Sequence, residues 1–372
     1  LETAGVPVGD TVYLILGTGE TVDYSLADIA PVFELRIRRL RSIVDERVGA
    51  AATGAGPALW SDERYAFCGE CPSCESEILA HDDLLQVADM RRDQRAKIMG
   101  HGLVTMEQFA TDDGVIPGLN PRTLHNLRQQ AIAQLRDRQD PRERPYFTVD
   151  RPDGLLGLPD PSPGDLFFDF EGDPLYQEGG RWGIDYLFGW VDAGGTFDYF
   201  WVDSLADEKE ALRQFVELVL ERRKLHPDMH VYHYASYEQT HLLQLAQRHG
   251  ILEEEVDQFA REHVLVNMLP LVKSSLRLGQ PSYSIKYLEK VYLTTPREGD
   301  TTNAGDSVAD YHAYRAALEV GDADKAATIK KSVLDYNTTD CESTRELFHW
   351  LLPYRPGPYV QPEPRQSDAQ AG

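Results

Sequence analysis

The stretch Leu166-Phe-Phe-Asp-Phe-Glu-Gly-Asp173 decides the fold prediction for this chain. Asp169 and Glu171 alternate with Phe168 and Phe170, and alternate residues of a β-strand point to the same face. Both carboxylates therefore share one face of an apolar strand, where they repel each other and lose hydration. A divalent cation between them is the simplest compensation. An edge strand with an ordinary polar face is the alternative interpretation.

The segments beyond residue 163 predict an α/β fold. Three apolar segments linked by glycine-bearing turns are typical of an antiparallel meander, and helices then alternate with strands. The predicted strands are Leu166–Phe170, Tyr186–Val191, Phe197–Val202, Met229–Tyr234 and Val264–Asn267; the predicted helices are Asp207–Lys224, Tyr237–Arg248 and a run that ends at Leu352. This order predicts a mixed sheet flanked by helices over residues 164–353.

A proline-rich segment separates this region from the front of the chain. Residues 139–163 contain six prolines, and both helices and central strands exclude such spacing. We therefore predict a linker at 141–163 and a mainly helical region at 81–140. Two short helices around the Gly102-Leu103 turn resemble a degenerate helix–hairpin–helix element, which would offer backbone N–H groups to a phosphate. A helical hairpin that only packs is the alternative.

Two later positions add acids to the pair on the strand. Glu238 lies in the first turn of a helix that follows a strand, and ligands gather at the C-terminal ends of strands in such sheets. A helix-terminal acid favoured by the helix dipole is the alternative. Tyr336 and Asp340 are four residues apart, so they share one helix face. Surface helices show such pairs by chance, so this motif alone is weak.

Taken together and in this order, the motifs resemble the DEDD exonuclease superfamily in its Tyr form, as in the proofreading domains of B-family polymerases. The closer resemblance is to the YprB-like, RNase H-like exonuclease domain that some bacterial proteins fuse to a RecB-like nuclease and a helicase. The matching text lies at 168–174, 232–238, 281–289 and 336–341. The resemblance implies an RNase H-like fold and a nucleic-acid substrate, most readily DNA, with RNA as the alternative.

The resemblance also implies two-metal hydrolysis of phosphodiester bonds at 3′ ends, in DNA repair or processing. Two Mg²⁺ or Mn²⁺ ions would be held by Asp169, Glu171, Glu238 and Asp340, one activating a water and the other stabilising the leaving 3′ oxygen. Tyr336 would orient the attacking water, because a phenol with a pKa near 10 stays protonated at neutral pH.

Four residues bear on the match to the superfamily and on substrate binding. The superfamily usually has Asp where this chain has Glu238; Asp228 is a substitute, but it precedes its strand and so lies at the wrong end. Lys286 and Tyr283 are candidate nucleic-acid contacts, with core packing as the alternative for Tyr283.

Two other functions remain open from the sequence. RNase H-like sites serve many substrates, so an RNase or an endonuclease on branched DNA is one alternative. The other is a non-catalytic nucleic-acid-binding module of a helicase fusion, whose acids serve folding.

Three cysteines near the front could bind a metal or a cluster. Two residues separate Cys68 from Cys71, and two separate Cys71 from Cys74. Thiols at this spacing can bind one zinc ion or one iron–sulfur cluster together. Residues 1–80 resemble the tail of a RecB-like nuclease, which implies a 4Fe–4S cluster in a longer protein. Zinc or uncoordinated thiols are the alternatives. The distant Cys341, beside Asp340, is expected to be packed in the core.

Composition and charge limit the classes of function that remain. A net charge of -24 argues against a protein that coats nucleic acid through basic patches, although not against an enzyme that grips phosphates through cations. We find no apolar run of bilayer length and no signal peptide, so we predict a cytoplasmic protein without membrane contact. Leu1 at the start and the proline-rich 354–372 at the end predict a piece of a longer polypeptide that ends in a disordered linker. The resemblance implies a helicase domain in the same full-length chain.

Overall fold

The computed structural model describes residues 9–15, 21–52, 60, 72–140, 144–293 and 304–362. The chain divides into two compact units, Leu1–Glu77 and Ile78–Gly372. Among the described helices, we find none that is both long enough and apolar enough to cross a bilayer.

The first unit contains a hairpin and a long helix. Strands β1 (Thr11–Ile15) and β2 (Thr21–Ser25) pair antiparallel, and α1 (Leu26–Ala52) follows. Helix α2 (Pro72–Ala80) carries Cys74, which is buried. Cys68 and Cys71 lie outside the described residues, so the proposed cluster stays a prediction.

The second unit is built on a five-stranded mixed sheet in the order β6-β5-β4-β7-β8. Its elements are β4 (Leu166–Glu178), β5 (Arg181–Asp192), β6 (Phe197–Trp201), α6 (Leu205–Leu225), β7 (Val231–His233), α7 (Tyr237–His249), α8 (Glu253–Arg261) and β8 (Leu265–Asn267). Strands β4, β5 and β6 form the antiparallel meander, and β7 and β8 continue the sheet in parallel with β4. The predicted RNase H-like mixed sheet flanked by helices is confirmed.

Four further α-helices follow β8 in the described part of the chain. They are α9 (Met268–Ser275), α10 (Ile285–Tyr292), α11 (Ala304–Glu319) and α12 (Ala323–Leu351), with the short strand β9 (Leu276–Leu278) between α9 and α10.

Strand β4 separates two hydrophobic cores. Phe168 stacks on Phe215 of α6, with ring centroids 4.2 Å apart. On the opposite face, Phe167 packs against Phe348 of α12 at 5.6 Å. Because side chains alternate along a strand, the odd-numbered acids of β4 point toward the α12 face.

The helical region before the sheet has a core of its own. Its helices are α3 (Arg92–Gly100), α4 (Met106–Thr111) and α5 (Pro121–Gln139). The predicted pair of short helices is confirmed, with Gly102 at φ +93° in the turn between them. Gln130 of α5 donates a hydrogen bond to the Leu278 carbonyl at 2.8 Å, so this region and the sheet region form one unit.

The expected linkers differ in part from the structure. Within 141–163, β3 (Phe147–Val149) pairs antiparallel with β9, and a 3-10 helix covers Pro152–Gly157. The prolines are accommodated because one starts the 3-10 helix and the strand lies at an edge. The 354–372 segment is also partly packed, since Val360 N–H bonds the Leu156 carbonyl at 2.7 Å.

Candidate active site

Three of the four predicted acids converge in space. Oxygen atoms of Asp169, Glu171 and Asp340 all lie within 4.8 Å of one another. Asp169 and Glu171 come from β4 and Asp340 from α12, so the cluster forms where the helix crosses the strand. Mutual repulsion at this separation is unfavourable unless a cation or bound protons offset it.

Neutral donors hold two of these carboxylates. Asn337 Nδ2 donates to Asp169 Oδ2 at 2.8 Å, and Ser307 Oγ donates to Glu171 Oε2 at 2.5 Å. Ser307 also bonds the hydroxyl of Tyr186 on β5. Neutral donors orient an acid without cancelling its charge. The two carboxylates therefore keep their capacity to bind a cation.

The fourth acid lies beside the same cluster. Glu238, in the first turn of α7, is buried, and its Oε2 lies 3.1 Å from Nδ1 of the buried His233 at the end of β7. Asp228, the substitute considered from the sequence, instead accepts a hydrogen bond from Ser162 at 3.2 Å, at the opposite end of β7. Of these two acids, the geometry brings Glu238 to the site.

Electrostatics follow from this crowding. Burial, then the charges of Asp340, Glu171 and Glu238, raise the pKa of Asp169 well above its usual value. Burial raises the pKa of Glu171 to about 8, against the hydrogen bond from Ser307, which lowers it. The cluster therefore holds protons near neutral pH when no cation competes for its oxygens.

The predicted tyrosine lies next to its lysine neighbour. Tyr336 faces the same cavity, and Lys286 Nζ lies 5.4 Å from the centre of its ring. Lys286 also acts electrostatically on Glu171, since its charge lowers the pKa of that acid. Tyr283 is different: it is buried, and its hydroxyl donates to Gln130 Oε1 at 2.7 Å. Its core-packing interpretation is the one that the structure favours.

The cavity that joins these residues has a volume of about 700 Å³. This lies within the range of about 300–1,000 Å³ typical of small-ligand sites. Asp169, Glu171, Glu238, Tyr336 and Asp340 all line it. The five residues proposed from the sequence thus share one cavity.

A second cluster in the cavity wall was not predicted. The buried Asp185 lies 2.8 Å from His241 Nδ1 and accepts a hydrogen bond from the Tyr237 hydroxyl at 3.4 Å. Gly172 allows this contact, because a Cβ there would lie 2.5 Å from Asp185 Oδ1. The glycine beside the acidic motif was the available sequence signal. Ser307 and Asn337 carried none, because their partners are far away in the chain.

The core position of Cys341 agrees with its prediction. The residue is fully buried and contacts Asn337 Oδ1 at 3.8 Å. Burial, followed by the charge of Asp169, raises the pKa of its thiol. This cysteine therefore packs behind the acids as a neutral thiol.

Comparison with known families gives one match. The model of the RNase H superfamily matches residues 166–352, just over half of the chain. The match begins at the first residue of β4 and ends one residue after α12, so it includes all the acids of the cluster. No curated protein shows a significant similarity to the chain.

Proposed function

The chain belongs to the RNase H superfamily, and from that membership we propose that it is a metal-dependent nuclease that removes nucleotides from the 3′ end of single-stranded DNA. The observation that carries the proposal is the convergence of Asp169, Glu171 and Asp340 within 4.8 Å. Superfamily membership supports a nucleic-acid substrate. The 3′–5′ direction and the single-stranded substrate rest on the resemblance of the acidic motifs and Tyr336 to the Tyr form of the DEDD exonucleases.

The donor set fits hard divalent cations. The converging atoms are carboxylate oxygens, which suit Mg²⁺ and Mn²⁺ better than softer metals. The raised pKa of Glu171, about 8, marks an acid whose charge needs a positive partner. We propose Asp169, Glu171 and Asp340 as ligands, with Glu238 as a fourth. When bound, such ions lower the pKa of a water and stabilise charge on a leaving oxygen.

The protein's own groups would position the reactants. Ser307 and Asn337 fix the orientation of two carboxylates, and His233 holds Glu238. Tyr336 would hold the attacking water by a hydrogen bond from its hydroxyl. Lys286, 5.4 Å from the tyrosine ring, would bind a phosphate oxygen of the strand.

A labelled-strand assay tests the proposal. We expect a 5′-labelled single-stranded DNA to give a ladder of progressively shorter products with Mg²⁺ or Mn²⁺, and no products with a chelator. Blocking the 3′ end should stop the reaction, and a circular single strand should stay intact. RNA of the same sequence, tested in parallel, decides the sugar preference.

Two variants provide the control. Asp169→Asn should abolish cleavage, whereas Asp335→Asn, which changes an exposed acid on the helix that carries Asp340, should leave it unchanged. Cutting of the circular strand would mean an endonuclease. Binding without cleavage under all metal conditions would favour the non-catalytic module.

A further inference from the structure

Three arginines crowd together at the junction of α5, β3 and β9. Arg277 of β9 is 9% exposed, and its Nη2 donates to Asn126 of α5 at 2.9 Å. Arg122 lies one helical turn before Asn126, on the same face of α5. Arg151 follows β3, and its backbone N–H bonds the Ser275 carbonyl, two residues before Arg277. The three guanidinium groups therefore lie near one another, with Arg277 buried.

This cluster has too few acids for its charge. Arg277 Nε lies 3.4 Å from Asp150 Oδ2. Neither Arg122 nor Arg151 forms an ion pair within 4 Å in the part of the chain that the structure describes, and Arg151 Nε is buried without a hydrogen-bond partner there. Burial and the charges of Arg277 and Arg122 lower the pKa of Arg151.

The small number of acids at this cluster contrasts with the acidic composition of the chain. With a net charge of -24, carboxylates are abundant, and several partly buried arginines elsewhere pair with them. The matched pairs include Arg95 with Asp83, Arg128 with Asp112 and Arg248 with Glu208. A group of arginines without matching acids is therefore complementary to an external anion, and guanidinium groups match phosphate geometry.

Tyr283 links strand β9, which carries Arg277, to Tyr234 in the segment before α7. The hydroxyl of Tyr234, four residues before Glu238, donates a hydrogen bond to the backbone carbonyl of Tyr283. The Tyr283 hydroxyl bonds the Leu276 carbonyl at 3.1 Å, beside Arg277. Lys286, three residues after Tyr283, lies over the Tyr336 ring. Tyr283 thus stands between the arginines and the proposed catalytic groups.

We infer that Arg122 and Arg151, next to the buried Arg277, bind backbone phosphates of the nucleic-acid strand whose 3′ end occupies the cavity. This inference rests on the proposed function and gives the helical region before the sheet a role in holding substrate. It also gives this acidic protein a local group of cations for the strand. The site recognises phosphate, so free phosphate is the competing ligand.

Binding of single-stranded DNA to the full chain, measured by fluorescence anisotropy in chelator, tests the inference without relying on cleavage. Strands of about 4 and about 20 nucleotides bracket the usual footprint of single-strand sites. The variant is Arg122→Gln combined with Arg151→Gln; the buried Arg277 is left in place. The matched control, Arg213→Gln with Arg261→Gln, removes the same charge from two exposed arginines that pair with acids.

The variant should bind the long strand about tenfold more weakly and the short strand as well as the wild type does. The slope of log affinity against log salt should fall in magnitude by about 1.4, since each lost phosphate contact removes about 0.7. The control variant should match the wild type in its strand affinities and in its salt slope. Unchanged thermal unfolding confirms that the variant is folded.

Three results would overturn the inference: long-strand affinity equal to that of the control, an equal loss for both strands, or stabilisation by inorganic phosphate with no response to either strand. Cleavage tests the proposed function independently of strand binding. Metal-dependent cleavage of the short strand should persist in the arginine variant, and its absence from the wild type would refute the nuclease without affecting the binding result.

Discussion

Replacing Asp169 by Asn should stabilise the metal-free protein at alkaline pH and abolish its stabilisation by divalent ions. The substitution removes a charge from a group of acids held within 4.8 Å of one another. The Asn side-chain oxygen can still accept the hydrogen bond that Asn337 donates to this position at 2.8 Å. The change therefore tests repulsion rather than loss of packing.

The magnitude follows from the separation of the charges. Two unit charges 4.8 Å apart repel by about 3.5 kcal/mol at an effective dielectric constant near 20. Protons bound to the cluster already relieve part of this, because the pKa of Glu171 is about 8. We therefore expect a gain in unfolding free energy of about 2 kcal/mol, which raises Tm by about 4–8 °C in a domain of this size.

The stability gained by Asp169→Asn should increase with pH. The folded cluster binds protons more tightly than the unfolded chain does, since the pKa of Glu171 rises from 4.5 to about 8 and that of Asp169 is also raised. Proton binding by these two acids therefore stabilises the metal-free wild type fully below about pH 4.5. This stabilisation is lost as pH rises toward 8. The variant's advantage should be near zero at pH 5 and should grow as pH rises through 8, where Glu171 loses its proton.

Thermal unfolding of both proteins at pH 5 and pH 8.5, with chelator and with Mg²⁺, measures these effects. Asp335→Asn is the control, because its carboxylate is exposed and pairs with Lys331 at 2.5 Å on the same helix as Asp340. Mg²⁺ should raise the Tm of the wild type and of the control but not that of Asp169→Asn. A loss of stability in Asp169→Asn at both pH values, or an equal Mg²⁺ response in all three proteins, would refute the reasoning.

Three further changes test individual side chains. Tyr336→Phe keeps the ring near Lys286 but removes the hydroxyl, so kcat should fall about 100-fold with little change in KM, and an unchanged kcat would exclude a role for the hydroxyl. Ser307→Ala removes a hydrogen bond to a charged oxygen, worth about 1.5–3 kcal/mol, so the pH of half-maximal Mg²⁺ binding in titration calorimetry should rise by about one unit or more. Gly172→Ala would place a Cβ 2.5 Å from Asp185 Oδ1, so chemical denaturation should show a loss of about 1–3 kcal/mol, and wild-type stability would contradict the packing described.

Local periodicity made part of the candidate site predictable. The two-residue spacing of Asp169 and Glu171 placed them on one face of β4, and the four-residue spacing of Tyr336 and Asp340 placed them on one face of α12. Each spacing is set by the geometry of a single element, so a short segment was enough to predict it. The individual strands of the mixed sheet were predictable for the same reason, because each strand is a short segment with its own pattern.

Contacts between distant segments were beyond the reach of such patterns. Ser307 meets Glu171 across 136 positions of sequence, and Gln130 meets Leu278 across 148. The helical region therefore joined the sheet region in one unit where the sequence suggested a linker between them. Tyr283, a candidate substrate contact by sequence, became a buried support between the two regions.

By itself, the sequence determined which side chains share a face and which segments form helices and strands, because these depend on backbone geometry over a few residues. Tertiary structure alone decided that neutral donors hold the acids and that three arginines gather with few matching carboxylates. Distances, burial and pKa values depend on how elements far apart in the chain pack together, and no local spacing encodes that packing.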